Sequence, residues 1–349
     1  MISICMIVRD ESKVLAKCLE SIKDYNFEIV IVDTGSIDNT KEIARRYTKN
    51  VYDFKWCNDF SKAINFSISK ANNKYVLVLA ADEIVINLDK EQLGKKILDR
   101  ANEVGRINIK NEYLRNGNKF VYTDYVSRVF DKDKYEYNGC IHEQIVRKDG
   151  NGYKTYKLPV TINHLGYDND EISRKNKISR NIQLLKASLM SNDSDPYIYY
   201  QLGKSYYMDG NYNEAKINFE KALGLNLDTK YEYVQDLVES YGYSLINIGE
   251  YKESIKLLNL YEEFKNSADY IFLAGLIYMN NGLFIEAITE FQNSKKIEIC
   301  KMEGVNDYLA NYNIGVIFEC LGNKEKAAEF YYMCKNYDKA LERISFLEK

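Results

Sequence analysis

What this chain lacks narrows its class before any motif is read. Its seven cysteines, Cys5, Cys18, Cys57, Cys140, Cys300, Cys320 and Cys334, never form a Cys-x-x-Cys pair. Neither a disulfide framework nor a zinc site follows from such scatter; free thiols in a reducing compartment do. No apolar run reaches the roughly 20 residues that a membrane-spanning helix requires. The N-terminus, MISICMIVRDE, has neither a basic leader nor a small-residue cleavage site. The expectation is a soluble, cytoplasmic protein with no membrane span. A net charge of −3 gives no electrostatic basis for a nucleic-acid partner. Proline is scarce and tyrosine abundant, a bias that fits an AT-rich coding sequence as well as any functional need.

What is present is globular. A hydrophobic fraction of 46% with 28% charge excludes disordered and fibrous classes, and 349 residues suffice for two domains. ISICMIV (2–8), FEIVIVD (27–33) and KYVLVLA (74–80) read as buried strands. Between the first two, Val14, Leu15, Cys18, Leu19 and Ile22 share one helical face. After Asp33, TGSIDNTKEIARRY is a turn leading into a second helix. Strands alternating with helices predict an α/β domain with a mainly parallel, Rossmann-like sheet. From Gly105 to His164 further strand-like pieces complete it.

Near Ile172 the pattern becomes almost wholly helical, which divides the chain into 1–170, a helical linker at 171–195 and a repeat region at 196–349. YYQLGKSYYMDGNYNEAKINFEKAL (199–223) has Leu202, Gly203, Tyr206, Gly210, Tyr212, Ala215, Phe219 and Ala222 at tetratricopeptide-repeat positions, where small residues let paired helices approach. Its turn glycine recurs as Gly249, Gly282 and Gly322. Ala287 with Phe291, and Ala327 with Tyr331, match Ala215 with Phe219; the weaker second copy offers Ser254 and Leu258. The segment after Tyr337 reads as a capping helix.

Ligands of parallel sheets bind at the carboxyl ends of strands, where Asp33 and Asp82 fall. Asp33 opens DTGSIDNT, which is equally ordinary turn chemistry. NDFSKAIN (58–65) can be a plain helix start with Ser61 as cap. Acids at a sheet mouth suit a hard divalent cation whose shell a nucleotide diphosphate completes. Both histidines of the chain, His142 in GCIHEQI and His164 in INHLGY, sit among polar strand and loop residues, which favours function over a core role.

Taken in order, ICMIVRDE, IVIVDTGSIDNTKEIA, NDFSKAIN, VLVLAADE, SRVF…YEYNGCIHEQI and NHLGYDNDEISRKNKISRNIQLL resemble family 2 glycosyltransferases of the GT-A fold. The nearest likeness is the bacterial branch fused to tetratricopeptide repeats, which includes bacteriocin S-glycosyltransferases of the sublancin type. The resemblance covers nearly the whole chain and implies inverting, metal-dependent transfer of a hexosyl or N-acetylhexosaminyl group from a UDP-sugar. It implies a donor pocket of Val8, Arg9, Glu11, Asp33, Ser61, Asn65, Ala80, Ala81 and Asp82, with Asp33 toward uracil and ribose. The branch's Asp-x-Asp motif, written D-A-D-E, falls on AADE; Asp82 would hold Mn²⁺ or Mg²⁺, with His164 as a further ligand. Glu143, or else His142, would deprotonate the acceptor.

Two positions depart from the branch: Ala80 lacks the first motif carboxylate, and Ile64 stands where Arg is common. Asp33, Asp82, His142, Glu143 and His164 all persist. The pattern reads as a single Asp-to-Ala change, of the kind introduced to trap substrates, with transfer impaired. Repeat arrays form concave surfaces that hold extended peptides, so the expected acceptor is Ser, Thr or Cys of a bacteriocin-like peptide or a flagellin-like protein. The alternatives are repeats that only form a homodimer, an inactive scaffold, and a lipid- or polysaccharide-directed transferase.

Overall fold

A computed structural model describes residues 2–115, 118–165, 171–190 and 192–348. The GYDND stretch of the last quoted motif, 166–170, lies outside the described residues. The chain divides into two compact units, Met1–Arg174 and Lys175–Lys349.

The first unit runs β1 (Ile2–Val8), α1 (Leu15–Ile22), β2 (Glu28–Asp33), α2 (Thr40–Tyr47), β3 (Val51–Asp53), α3 (Phe60–Ser69) and β4 (Tyr75–Val78). It continues through β5 (Glu83–Leu88), α4 (Lys90–Asp99), β6 (Val104–Arg115), β7 (Asn118–Asp131), β8 (Tyr135–Asn138), β9 (Gln144–Arg147) and β10 (Thr155–His164). Eight strands form one mainly parallel sheet in the order β3-β2-β1-β4-β7-β6-β10-β5, while β8 and β9 pair separately. β1 lies parallel to β2 and β4, β2 to β3, and β6 to β10; the remaining three pairings are antiparallel.

Burial on both faces explains why the early strands read as continuous apolar runs. On one face Ile4, Met6, Leu77 and Leu79 meet Leu15, Cys18 and Leu19 of α1 and Leu93 and Ile97 of α4. On the other, Cys5, Val30, Val76 and Val78 meet Ile64 and Ile68 of α3 and Tyr135, Tyr137 and Ile145 of β8 and β9. Ile64, the departure from Arg noted above, is thus a core residue here.

The second unit is helical. It comprises most of α5 (Glu171–Leu189), then α6 (Pro196–Met208), α7 (Tyr212–Leu223), α8 (Glu232–Asn247), α9 (Tyr251–Ser254), α10 (Tyr261–Phe264) and α11 (Ala268–Asn280). α12 (Phe284–Ser294), α13 (Tyr308–Cys320), α14 (Lys324–Tyr332) and α15 (Asp338–Leu347) complete it. Caps recur at the helix starts: the side chains of Asp195, Asn211, Ser267 and Asn323 each accept a backbone N–H from the first turn. Gly210, Gly249, Gly282 and Gly322 all turn with φ between 75° and 80°, the left-handed region that L side chains avoid.

Within the paired helices, an ideal Cβ on Gly203 would lie 2.6 Å from the Phe219 ring, on Gly275 2.6 Å from Phe291, and on Gly315 2.6 Å from Tyr331. The second copy breaks this pattern. Residues Ile255–Leu260 form a 3₁₀ helix, and Gly242 meets Leu257 and Leu273 instead of Leu258. Three residues per turn bring the position three after Ser254 inward, where an α-helix would present the fourth. The repeat match at Ser254 is buried as expected, and the match at Leu258 moves to Leu257.

One buried acid in this unit opposes its own ionisation. Burial, with the charges of Asp269 and Asp236, pushes Glu239 up to about 8. The folded state therefore binds a proton that the unfolded chain has released, and stability falls as pH rises from the ordinary glutamate range to about 8. Glu239→Gln is expected to raise Tm at pH 7.5 and to flatten its dependence on pH across that window. Equal melting curves for the two proteins across that range would refute the assignment.

Candidate functional site

The parallel register brings the carboxyl ends of three strands level: Val8 pairs with Asp33, and Asp33 with Asp53. Two loops leave this edge and are laced together. Asp10 N–H donates to Ser36 Oγ at 3.0 Å, Ile37 N–H to Asp10 Oδ1 at 2.8 Å, Glu11 N–H to Thr40 Oγ1 at 2.8 Å, and Ser12 N–H to Asp38 Oδ2 at 3.1 Å. Asp33 is 2% exposed; its Oδ1 accepts from Gly35 and Ser36 N–H, and its Oδ2 is buried with no hydrogen-bond partner. A buried carboxylate oxygen without a donor is costly, so Asp33 combines the turn bonds of Oδ1 with an unfilled acceptor at Oδ2. Val8 is a core residue whose carbonyl accepts from Thr34, so it shapes the backbone of this edge. Arg9 is exposed, its Nε 3.9 Å from Asp10.

β4 delivers the acids. It ends at Val78, and a turn over Ala80, Ala81 and Asp82 reverses into β5. Asp82 is 5% exposed, with Oδ2 3.2 Å from His164 Nε2. The sheet register explains the meeting: in β10, His164 lies opposite Glu83 on one side and Asn111 on the other. His164 Nδ1 is 2.7 Å from Asn111 Oδ1, an acceptor, so that nitrogen carries a proton. Nε2 then either carries a second proton toward Asp82 or offers its lone pair to a cation. Burial pulls the His164 pKa down, but the hydrogen bond to Asp82 and the charges of Asp82 and Glu83 prevail and hold it above the ordinary histidine range. Ala80 N–H donates to Glu83 Oε2 at 2.8 Å, and Glu83 Oε1 accepts from Arg128 Nη2 at 3.0 Å.

α3 and the loop after β8 form the other part. The cap of α3 is Asp59, not Ser61: Asp59 Oδ1 accepts from Lys62 N–H at 2.9 Å, and the Ser61 hydroxyl also donates to it at 2.8 Å. An ionised carboxylate one residue outside the first turn can accept both bonds, which a serine inside that turn cannot. Asn65 spends both ends of its carboxamide on Tyr137, donating to its carbonyl at 2.8 Å and accepting its N–H at 3.0 Å. It fixes β8 and so the GCIHEQI loop. Phe60 N–H donates to the Cys140 carbonyl at 2.8 Å, tying α3 to that loop directly.

In the loop, His142 has φ 50° and a buried Nε2 with no hydrogen-bond partner; burial pushes its pKa down to about 4. It is neutral at pH 7. Burial pushes the Glu143 carboxyl up, so it is a stronger base than an exposed glutamate. Asp82 and His164 are thus brought together, while Ser61 bonds the Asp59 carboxylate, Asn65 holds the backbone of Tyr137 and Ala80 offers no carboxylate. Among the described residues no group of three or more His, Cys, Asp or Glu side chains is gathered to hold a metal alone. Glu83, which the acids at the sheet mouth offered beside Asp82 for a cation, is taken up by Arg128 and the Ala80 N–H, and neither Arg128 nor Asn111 stands out in the sequence as a site residue. The one signal is for Arg128, an arginine inside the apolar strand SRVF; Asn111 has none.

The glycosyl transferase family 2 model matches residues 3–154, and a tetratricopeptide-repeat model matches 196–228. The SPbeta prophage-derived glycosyltransferase SunS of Bacillus subtilis is 28% identical over 223 residues, covering 62% of this chain and 52% of that protein. A TPR repeat-containing protein of Synechococcus elongatus is 29% identical over 233 residues, covering 62% and 54%. The chain spans about half the length of these relatives. Among solved structures, the TPR protein YrrB aligns with 50% of this chain and 87% of its own at 26% identity, with a TM-score of 0.41. No helix among the described residues is long and apolar enough to cross a membrane.

Proposed function

Residues 3–154 being a family 2 glycosyl transferase domain, we propose that the chain moves a sugar from a UDP-sugar to a nucleophilic side chain of a peptide or protein, with inversion. The observation that carries this reading is Asp82, in the turn between β4 and β5, lying 3.2 Å from His164 beside the aligned strand ends that hold Asp33. Mn²⁺ or Mg²⁺ held by Asp82 and His164 would neutralise the departing diphosphate. Two protein ligands fit a hard cation that keeps water and phosphate oxygens in its shell, and His164 has its second nitrogen fixed by Asn111, as metal-binding histidines commonly do. Asp33 Oδ2 would accept a donor hydrogen bond from the nucleoside. Glu143 takes the proton of the acceptor Ser or Thr hydroxyl or Cys thiol, with neutral His142 the other group that could accept it. The concave face expected of a repeat array would seat the acceptor as an extended segment.

Ala80 leaves the motif with one carboxylate. Restoring it in Ala80→Asp is expected to raise Mn²⁺-dependent UDP release from UDP-glucose or UDP-N-acetylglucosamine by at least about tenfold, since metal-ion stabilisation is worth several kcal/mol. The same variant should gain more Tm from Mn²⁺ than the parent chain, because a third acid beside Asp82 and Glu83 repels them until a cation binds. No UDP release from either protein with any donor, and no saturable donor binding, would leave only a scaffold role.

A further inference from the structure

The segment between β3 and α3 is tied to both halves of the site, yet the roles above leave its aromatic side chains unused. At one end Phe54 N–H donates to the Asp33 carbonyl at 2.9 Å, so the chain leaves β3 against the edge assigned to the nucleoside. At the other, Phe60 N–H donates to the Cys140 carbonyl at 2.8 Å, in the loop that carries His142 and Glu143. Residues 55–59 therefore run from the donor edge to the loop of the base. Trp56, the one tryptophan of the chain, stands in this span. Its indole N–H donates to Asn58 Oδ1 at 2.9 Å, and its ring meets the Phe60 ring edge-on, with centroids 4.8 Å apart and planes at 69°. Asn58 turns with φ 58°, in the left-handed region that asparagine tolerates, and so folds the span back for these contacts to close. The indole is thus oriented but only partly buried, and Lys55, Cys57 and Asn58 around it are exposed. With its polar atom satisfied, it presents an apolar surface.

Resting on the proposed transfer activity, we propose that Trp56 is the stacking surface for the sugar of the donor, a specificity-determining residue for the group transferred. With the nucleoside at Asp33 and the base at Glu143, the sugar has to lie between them. Its anomeric carbon is bonded to the diphosphate on one side and met by the acceptor on the other. Residues 55–59 bridge the same two points. A pyranose ring carries C–H groups on its faces, which pack on an aromatic plane, while its hydroxyls reach outward to polar groups or water. The indole binds by its face and not by a hydrogen bond, since its single donor is spent on Asn58.

As the sole tryptophan, Trp56 reports on itself. The test follows its fluorescence, excited beyond the tyrosine band, as UDP-glucose, UDP-N-acetylglucosamine or UDP is added with Mn²⁺ to the parent chain and to Ala80→Asp. Calorimetry on the same samples gives each Kd. A saturating UDP-sugar is expected to shift or quench the emission, and saturating UDP to leave it near that of the free protein. Trp56→Leu should weaken UDP-sugar binding about tenfold, the scale of one aromatic contact, with UDP affinity kept within about twofold. Trp56→Phe should recover most of the loss, because it keeps a ring. Emission unmoved by a bound UDP-sugar would overturn the proposal, and so would an equal loss of UDP and UDP-sugar affinity in Trp56→Leu, which would place the indole on the nucleoside. Should Trp56→Leu not fold, the emission of the parent decides alone. A chain that binds no UDP-sugar in either form defeats the functional reading and this assignment together, whereas binding without an emission change defeats the assignment only.

Discussion

Glu143→Gln is expected to lower the rate of transfer by about 10²–10⁴-fold, the usual contribution of a positioned general base. Donor affinity should stay within about twofold, because Glu143 lies in the loop after β8, apart in sequence from the strand ends assigned to the donor. The parent should show an acid limb in kcat/KM above the ordinary carboxylate range, since burial raises the Glu143 pKa and only the ionised form accepts a proton. Activity thus rises with pH through that limb, and the limb vanishes in the variant. His142→Asn provides the comparison. With its pKa pushed down to about 4, His142 is already neutral and would place no limb near pH 6–7. Loss of activity in His142→Asn with near-parental turnover in Glu143→Gln would transfer the base assignment to the histidine. Pre-steady-state measurement of sugar transfer, with calorimetric titration of the donor, distinguishes these outcomes.

Gly275→Ala is expected to destabilise the repeat unit by about 2 kcal/mol although alanine is the better helix former. Helix propensity favours Ala over Gly by about 1 kcal/mol. The new Cβ, however, would lie 2.6 Å from the Phe291 ring, itself wholly buried, and overpacking of that kind costs up to about 3 kcal/mol. Two other glycines separate the causes. Gly282 has open space around its Cβ position but φ 75°, so Gly282→Ala should cost about 1–2 kcal/mol through backbone strain alone. Gly94, inside α4 with nothing nearby, should gain about 1 kcal/mol as alanine. Urea unfolding of the three variants checks the order; a stabilised Gly275→Ala would mean that the helix pair opens without cost.

Much of the fold was legible because burial imposes short-range patterns. The stripe Leu15, Cys18, Leu19 and Ile22 marks α1, and the apolar runs before Asp33 and Asp82 mark β2 and β4. The turn glycines were equally plain, since left-handed φ leaves few other choices. The pairs that local sequence does not encode depend on register between distant strands. Asn111 meets His164 across 53 residues, and Arg128 meets Glu83 across 45. No local period encodes either pair. Asn65 and Ser61 sit in a motif that suggests ligand contact, yet their hydrogen bonds go to Tyr137 and Asp59. The sequence records which side chains are polar, but not whether the partner is another part of the chain or a substrate. Leu258 failed for a finer reason, a switch from α to 3₁₀ winding just after Ser254.

The strand β10 has a practical consequence for dissecting this protein. The family match ends at residue 154, one position before β10 begins. β10 is the strand that β5 pairs with at the sheet edge, it supplies His164, and it leads straight into Leu165, whose N–H closes onto the Asp82 carbonyl at 3.0 Å. A fragment trimmed to the matched residues would therefore shed an internal strand and leave Asp82 without its histidine. A fragment that keeps the whole eight-stranded sheet and the turn around Asp82 has to extend at least through Leu165, beyond the residues that the family model matches.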